Sequence, residues 1–422
     1  MSNPSVIIIG AGAAGLIAAR DLSRDFEVTV LEAQSHIGGR IHTIIRDGEI
    51  IEAGAEFVHG NLPVTLGLLK EAGIDYEKVS GKMYRKKNGH FTNVGEMTKG
   101  WNELLEKMEI VKEDMTMQEF LDKHYPVPEN DVLRKEVGSY AEGFDLADIA
   151  KASVQALGRE WNSEGEDNYR IPAGYSALAR HLQKKAQMNG VTILSGVCVK
   201  EVRWQNGKVA VYVSDKKKYE AAKLLVTVPV SVLHQSASKA HIHFDPPLYF
   251  SGNVAAEIGF GAVIKIVLKF KKAFWQKDAG FIFSEELFPT WWTRLPDDTP
   301  VLTGWMGGPK ATAHSDATDN EITEAALVSL AAIFDTTVSE LKNELVHCMV
   351  FNWQANQYVL GAYSYATVYT EAAKKLVGTP LANTIFFAGE ALYSGHHPGT
   401  VEAALVSGID AATFIKNGAG YP

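Results

Sequence analysis

Two cysteines in 422 residues give no basis for a disulfide framework, and Cys198 and Cys348 lack the close spacing of metal ligands. The chain is therefore expected to fold in a reducing compartment, with both thiols serving as packing residues. No apolar run approaches the roughly 20 residues a helix needs to cross a membrane. The start, MSNPSVIIIGAGAAG, has neither a basic n-region nor a small-residue cleavage site, so a soluble, cytoplasmic protein without a membrane partner is expected. Long basic tracts are missing too. Acidic residues outnumber basic ones 50 to 41, for a net charge of -9, which argues against a nucleic-acid partner and favours a cationic ligand. HIH at 241 to 243 has no further ligands at metal spacing, so no metal is expected. Internal repeats and low-complexity tracts are absent as well. What remains is ordinary globular usage, 46% hydrophobic and 22% charged, with enough length for two cores.

The strongest local signal lies near the start. SVIIIGAGAAGLIAARDL runs from an apolar strand through Gly10, Gly12 and Gly15 into an alanine-rich helix, and FEVTVLE follows as a second strand ending at Glu32. Glycines at these positions permit a tight turn, approach of a pyrophosphate to N–H groups at the helix N-terminus, and close helix-on-strand packing. Glu32 stands 22 residues after Gly10, where a carboxylate accepts hydrogen bonds from the ribose hydroxyls of an adenosine. Strand, glycines, helix, strand and acid together predict dinucleotide binding. In EAQSHIGGRIHT the pair Gly38 and Gly39 is followed by Arg40, whose guanidinium fork suits a diphosphate.

Further along, GVTILSGVCVKEVRWQNGKVAVYVSDKKKYEAAKLLVTVP reads as strand, strand, hairpin and strand, with Lys216 to Lys218 solvated at the hairpin tip. Residues from about 97 to 165 carry apolar spacing of three and four and predict amphipathic helices covering one side of a sheet. The nucleotide signature thus returns in pieces. The expected architecture is an α/β, Rossmann-like nucleotide domain at 1–75, 175–245 and 356–422, discontinuous because an α+β substrate domain of mixed sheet and flanking helices, 76–174 and 246–355, is inserted into it.

Within that second domain GFGAVIKIVLKF reads as a strand. Ile264, Ile266, Leu268 and Phe270 fall on one face, and Val263, Lys265, Val267 and Lys269 on the other. On this stretch alone Lys265 reads as solvated. The closing segment, NTIFFAGEALYSGHHPGTVEAALVSGIDAA, is a buried strand, a glycine turn, a polar loop and an alanine-rich helix.

The run Gly38-Gly39-Arg40 after the acid, VTVPVSVL, FDPPL, GFGAVIKIVLKF followed by AFW, IPAGYSALA, GAYSYA and FFAGE occur in the order seen in the flavin-dependent amine oxidases, and the chain resembles that family over nearly its whole length. The resemblance implies FAD, held by Gly10, Gly12, Ala14, Gly15, Glu32, Ala33, Gly39, Arg40, Gly54, Ala55, Glu56, Phe57, Val199, Trp353, Glu390, Thr400 and Val401. Glu390 is the carboxylate brought to the ribityl chain, and the helix opened by Val401 points its N-terminus at the isoalloxazine, where negative charge develops on reduction. The same resemblance makes Lys265 the strand lysine that reaches the flavin N5 through a water, and Tyr363 the aromatic residue beside the ring. Trp353 matches a tryptophan near the flavin.

Departures from the family narrow the subgroup. Ala362 stands where monoamine oxidases carry the cysteine linked to FAD, which implies non-covalent FAD. Thr400 replaces one tyrosine of their aromatic cage, as in polyamine oxidases and histone lysine demethylases. GAEFVHGN, Gly54 to Asn61, resembles the polyamine and spermine oxidases around an active-site histidine, which makes His59 the candidate hydrogen-bonding or proton-accepting group. Glu56 is read as either attracting an ammonium or facing solvent, and His396 and His397 match no motif. The expected catalytic set is Lys265, Tyr363, His59 and Thr400, the substrate a small cationic amine, and the oxidant oxygen, yielding hydrogen peroxide. A desaturase or oxidase of a non-amine substrate on the same scaffold, or a non-catalytic flavoprotein module, are the alternatives.

Overall fold

The computed structural model describes residues 3–87, 89–93, 98–163, 167–234, 238–250 and 252–418. These divide into two compact units, the first comprising 1–77, 163–260 and 356–422, the second 78–162 and 261–355.

The first unit is built on a five-stranded parallel sheet in the order Thr192–Ser195, Glu27–Glu32, Ser5–Ile9, Lys223–Val226, Ile385–Phe387. Parallel strands buried on both faces read as continuous apolar runs, and VIII of the first strand is buried throughout. Val6 and Ile8 pack into one core with the helices Ala13–Leu22, Ser176–Met188 and Val401–Asn417, while Ile7 and Ile9 pack into another beneath the four-stranded sheet of Val199–Gln205, Lys208–Val213, Lys218–Ala221 and His243–Asp245. The turn after the first strand needs its glycines. Gly10 has φ +106, and a Cβ on Gly15 would lie 2.0 Å from the Gly10 carbonyl oxygen. The C-terminal helix approaches just as closely, since a Cβ on Gly408 would lie 2.4 Å from the Ala14 carbonyl. Lys216 and Lys217 are exposed in the hairpin turn and Lys218 opens its return strand, as the sequence predicts.

Two buried carboxylates tie distant segments of this unit to helix ends. Glu402 accepts hydrogen bonds from the Val64 and Thr65 N–H groups, at 2.9 and 2.7 Å, in the first turn of the helix Pro63–Ala72. Glu52 accepts from the Tyr175 N–H at 2.6 Å, at the start of the helix Ser176–Met188. Each satisfies helix N–H groups that have no partner within the helix and places negative charge at the positive end of a dipole.

The second unit is a mixed seven-stranded sheet in the order Leu345–Asn352, Val263–Phe270, Val301–Gly307, Thr290–Trp292, Ala279–Phe283, Lys82–Lys87, His90–Asn93. Neighbours are antiparallel except Ala279–Phe283 with Lys82–Lys87. One face carries Ile264, Ile266, Leu268 and Trp291 into a core with the helix Asp319–Phe334. The amphipathic tract predicted from 97 to 165 has residues 97, 164 and 165 outside the described set. Within it lie the helices Trp101–Glu109, Met117–His124, Asp131–Gly143 and Val154–Ser163. Among the described residues no single helix is long and apolar enough to cross a membrane.

The unit boundaries differ from the sequence expectation at three places. Residues 76–77, 163–174 and 246–260, assigned by sequence to the substrate domain, belong to the first unit. The reason is strand pairing: Asn168–Arg170 joins Phe57–His59, and Gly259–Phe260 joins Ser364–Tyr365. Such short strands leave little periodicity to read.

Candidate functional site

Glu32 sits at the end of its strand, 6% exposed, directly behind the glycine turn. Its carboxylate accepts the Ala11 N–H at 2.7 Å and the Gln34 N–H at 2.8 Å. Burial pushes the carboxyl above its ordinary value, opposed by backbone N–H groups of Gln34, Ala11 and Ala33. Ala33 thus contributes through its backbone. The helix that follows begins at Gly12 with no side-chain cap and no acid in its first turn, so its positive end is uncompensated. A Cβ on Gly12 would meet only the Gly38 carbonyl oxygen, at 4.0 Å. Bare N–H groups, an open approach and a nearby guanidinium fit an anionic pyrophosphate, and Glu32 fits a ribose. Val199 is a core residue, 4% exposed, at the start of its strand.

Arg40 is held by groups over 300 residues away. Its Nη1 donates to the Ala362 carbonyl at 2.7 Å and to Glu390 at 2.8 Å. Glu390 is 4% exposed and also accepts from the Ser364 N–H at 2.9 Å and the Ser364 hydroxyl at 2.5 Å. Arg40 and Glu390 line one pocket with Thr227, Pro229 and Gly389. The sequence reading gave these two residues separate duties toward the cofactor and missed that they form an ion pair. The Arg40 carbonyl in turn accepts the Ala55 N–H at 3.0 Å, which anchors the Gly54–Ala55 segment.

Tyr363 follows the carbonyl that Arg40 holds. Gly399, with φ +69, lies against its ring, where a Cβ would come within 2.9 Å of Cδ2. Larger side chains at 399 would therefore displace the tyrosine. Thr400 is the N-cap of the helix Val401–Asn417: its hydroxyl oxygen accepts the Ala403 N–H at 3.1 Å and its proton goes to the His397 carbonyl at 2.7 Å. The structure thus gives Thr400 a capping duty at the helix end that the sequence reading did not assign to it.

In the GAEFVH segment Glu56 does not face solvent: its carboxylate pairs with Arg170 at 3.1 Å, with both side chains largely buried. The guanidinium also lies over the Phe57 ring, 5.2 Å from its centroid. His59 meets Asn168 on the same pair of strands, Nδ1 to Oδ1 at 2.8 Å. An amide oxygen only accepts, so Nδ1 is the donor in this contact. Burial holds the imidazole below its ordinary pKa, partly offset by the Asn168 hydrogen bond. Asn168 and Arg170 escaped the sequence reading. The signal was NYR, a short alternating run immediately before IPAGYSALA.

In the second unit Lys265 is 1% exposed, which overturns the solvated reading that its strand alone suggested. Its register neighbours are Trp305 and Phe351, and its ammonium lies 5.5 Å from the centroid of Trp292. Trp353 is 7% exposed and donates its backbone N–H to the Val263 carbonyl at 3.2 Å, beside the start of the lysine strand. The structure therefore places Lys265 and Trp353 together in the second unit, and Glu32, Arg40, Glu56, His59, Tyr363, Glu390 and Thr400 in the first. Among the described residues no group of three His, Cys, Asp or Glu is arranged to hold a metal.

A family model described as flavin containing amine oxidoreductase matches residues 13–415. The chain belongs to that family. Lysine-specific histone demethylase 2 of Homo sapiens is 27% identical over 456 residues, covering 98% of this chain and 53% of that protein. Probable polyamine oxidase 4 of Arabidopsis thaliana is 27% identical over 450 residues, covering 97% of this chain and 86% of that one. The chain thus spans about half the length of the demethylase it matches and most of the plant oxidase. Among solved structures, putrescine oxidase bound to putrescine superposes with a TM-score of 0.82 at 19% identity, covering 98% of this chain and 99% of the other. Cyclohexylamine oxidase from Brevibacterium oxydans IH-35A gives 0.80 at 18% identity, covering 99% of each chain. These likenesses fix the fold as that of the flavin-dependent amine oxidases, with a Rossmann-like flavin domain. Membership in a family described as flavin containing implies a flavin cofactor.

Proposed function

We propose that this flavoprotein holds FAD without a covalent bond and oxidises a small cationic amine, of the polyamine type, returning electrons to oxygen as hydrogen peroxide. One observation carries the reading: Lys265 is buried to 1% exposure in mid-strand within a charge-poor aromatic face. Desolvating an ammonium costs several kcal/mol, and the arrangement is useful where a fixed positive charge with three N–H donors must meet developing negative charge. The buried Glu32 behind the glycine turn and the alanine at 362 support the form of the cofactor: a ribose-binding acid for FAD, and no thiol for attachment.

The chemistry FAD supplies when bound is removal of a hydride equivalent from the carbon beside nitrogen and delivery of two electrons to oxygen. The imine left behind is hydrolysed to an aldehyde and an amine or ammonia. The protein's part begins with the proton. An alkylamine of pKa near 10 loses its proton at pH 7 at a cost of roughly 4 kcal/mol. His59, held below the ordinary histidine pKa by burial and anchored to Asn168 through Nδ1, is the group that hydrogen-bonds the amine or takes its proton. Tyr363, braced by Gly399, offers a ring face to guide the amine. Lys265 orients a water and supplies positive charge. A panel of monoamines, diamines and polyamines with coupled peroxide detection tests the reading; absence of peroxide with every amine would refute it.

A further inference from the structure

The face of the seven-stranded sheet that carries Lys265 is a row of rings. Directly opposed residues on neighbouring strands share a face, as do residues two apart on one strand. Lys265 is opposed by Phe351 on one side and Trp305 on the other. Trp305 is opposed by Thr290, two residues from Trp292, and Trp292 by Phe281. The order across the sheet is therefore Phe351, Lys265, Trp305, Trp292 and Phe281, with the lysine the charged member. Trp292 is 5% exposed and fixed on both sides: its ring lies 5.9 Å from that of Trp305 at 51° and 6.3 Å from that of Phe281 at 43°. Trp305 is itself locked by an indole N–H bond to the Gly143 carbonyl at 2.9 Å. The Lys265 ammonium lies within cation–π range of the Trp292 ring, at 5.5 Å.

We propose that Trp292 is a positioning residue for Lys265: its indole face, clamped between Trp305 and Phe281, holds the ammonium at one place along an otherwise flexible four-carbon stem. A lysine side chain has several rotatable bonds and loses roughly 2 kcal/mol of rotamer freedom when fixed. A rigid ring with negative charge on its face supplies both attraction and a fixed location, in a site where desolvation makes the attraction stronger. Trp292 touches neither substrate nor reacting atoms in this scheme; it acts through the lysine. The inference rests on the reading that Lys265 serves the flavin reaction.

The test pairs spectroscopy with rates. In holoenzyme labelled with [ε-13C]lysine, the Lys265 signal, identified by its disappearance in Lys265→Met, is expected upfield of the other lysines because of the indole ring current. It should stay upfield in Trp292→Phe, which keeps a ring face, and return to the common position in Trp292→Leu. An unchanged Lys265 signal in Trp292→Leu would overturn the proposal whatever the enzyme's activity. Anaerobic stopped-flow then asks whether the contact matters. Trp292→Leu is expected to slow the half-reaction that Lys265→Met slows, by about fivefold to thirtyfold, the worth of a desolvated cation–π contact. Trp292→Phe should recover most of that rate. In the Lys265→Met background Trp292→Leu should change the rate less than about twofold, because its route of action is already gone. Equal losses in both backgrounds would show that Trp292 acts independently and would refute the positioning role. If Lys265→Met alone leaves both half-reactions at wild-type rates, the proposed function of the lysine falls, and the spectroscopic result still decides whether Trp292 holds it.

Discussion

Replacing Arg40 with methionine removes the cation that faces Glu390 while preserving most of the stem. The magnitude follows from the asymmetry of the pair. The Glu390 side chain is 3% exposed and that of Arg40 28%, with 2.8 Å between Nη1 and Oε2. Breaking a buried pair by removing one partner costs roughly 3–5 kcal/mol; discounting for the solvent already reaching Arg40 brings this to about 2–3 kcal/mol. The Ala362 carbonyl loses its 2.7 Å donor as well, which adds about 0.5–1 kcal/mol. Arg40→Met is therefore expected to destabilise the first unit by about 3 kcal/mol, or about 6–12 °C in Tm for a domain of this size. Glu390→Gln leaves a half-solvated cation in place of a buried anion and keeps an acceptor for Ser364, so it should cost less, about 1–2 kcal/mol. Urea unfolding followed by circular dichroism on flavin-free protein measures stability apart from cofactor binding. The reasoning fails if Arg40→Met unfolds within about 0.5 kcal/mol of wild type, or if Glu390→Gln is the more damaging change.

Other outcomes follow from the same geometry. Glu32→Gln keeps the shape but leaves an amide where two N–H donors expect an acceptor on each oxygen; flavin affinity should fall by about 2 kcal/mol or more, and unchanged retention on dialysis would contradict the ribose assignment. Because Ala362 offers no thiol, acid precipitation should leave the flavin in the supernatant, and flavin pelleting with the protein would refute non-covalent binding. Burial lowers the pKa of His59, His36, His42 and His234 below the ordinary histidine value. The unfolded chain then binds more protons than the folded one between those lowered values and the ordinary value of about 6.5. Stability from these groups is present above pH 6.5 and is lost as pH falls toward the lowered values. Urea midpoints should accordingly drop on acidification from about pH 7 to 5.5, and a rise over that range would contradict the sign.

The sequence carried the nucleotide end of the fold because its physics is local. A glycine turn between strand and helix, and an acid at the end of the next strand, are set by neighbours in the chain, and Gly10, Gly15 and Glu32 occupy the places that spacing predicts. Lys265 was legible in a different way. Its strand alone suggested solvent exposure, and only resemblance to a family pointed to placement; the burial that the structure shows depends on Trp292, 27 residues away, and on strand pairing that alternation does not specify. The ion pairs Arg40–Glu390 and Glu56–Arg170 join residues 350 and 114 apart, and no local pattern announces such partners. The capping role of Thr400 was missed for a related reason. A threonine before an alanine-rich helix is a cap signal in its own right, and the comparison with an aromatic cage obscured it.

The most direct test of the account mixes anaerobic, flavin-loaded protein with an amine that supports turnover and follows flavin absorbance, then admits oxygen. The account predicts that the amine bleaches the flavin, that oxygen restores it with one hydrogen peroxide formed per cycle, and that Lys265→Met retains its flavin yet slows reduction, reoxidation or both by roughly thirtyfold to nearly a thousandfold, the worth of about 2–4 kcal/mol at a developing charge. A flavin that no amine bleaches, or a Lys265→Met variant that cycles at the wild-type rate in both directions, would contradict it.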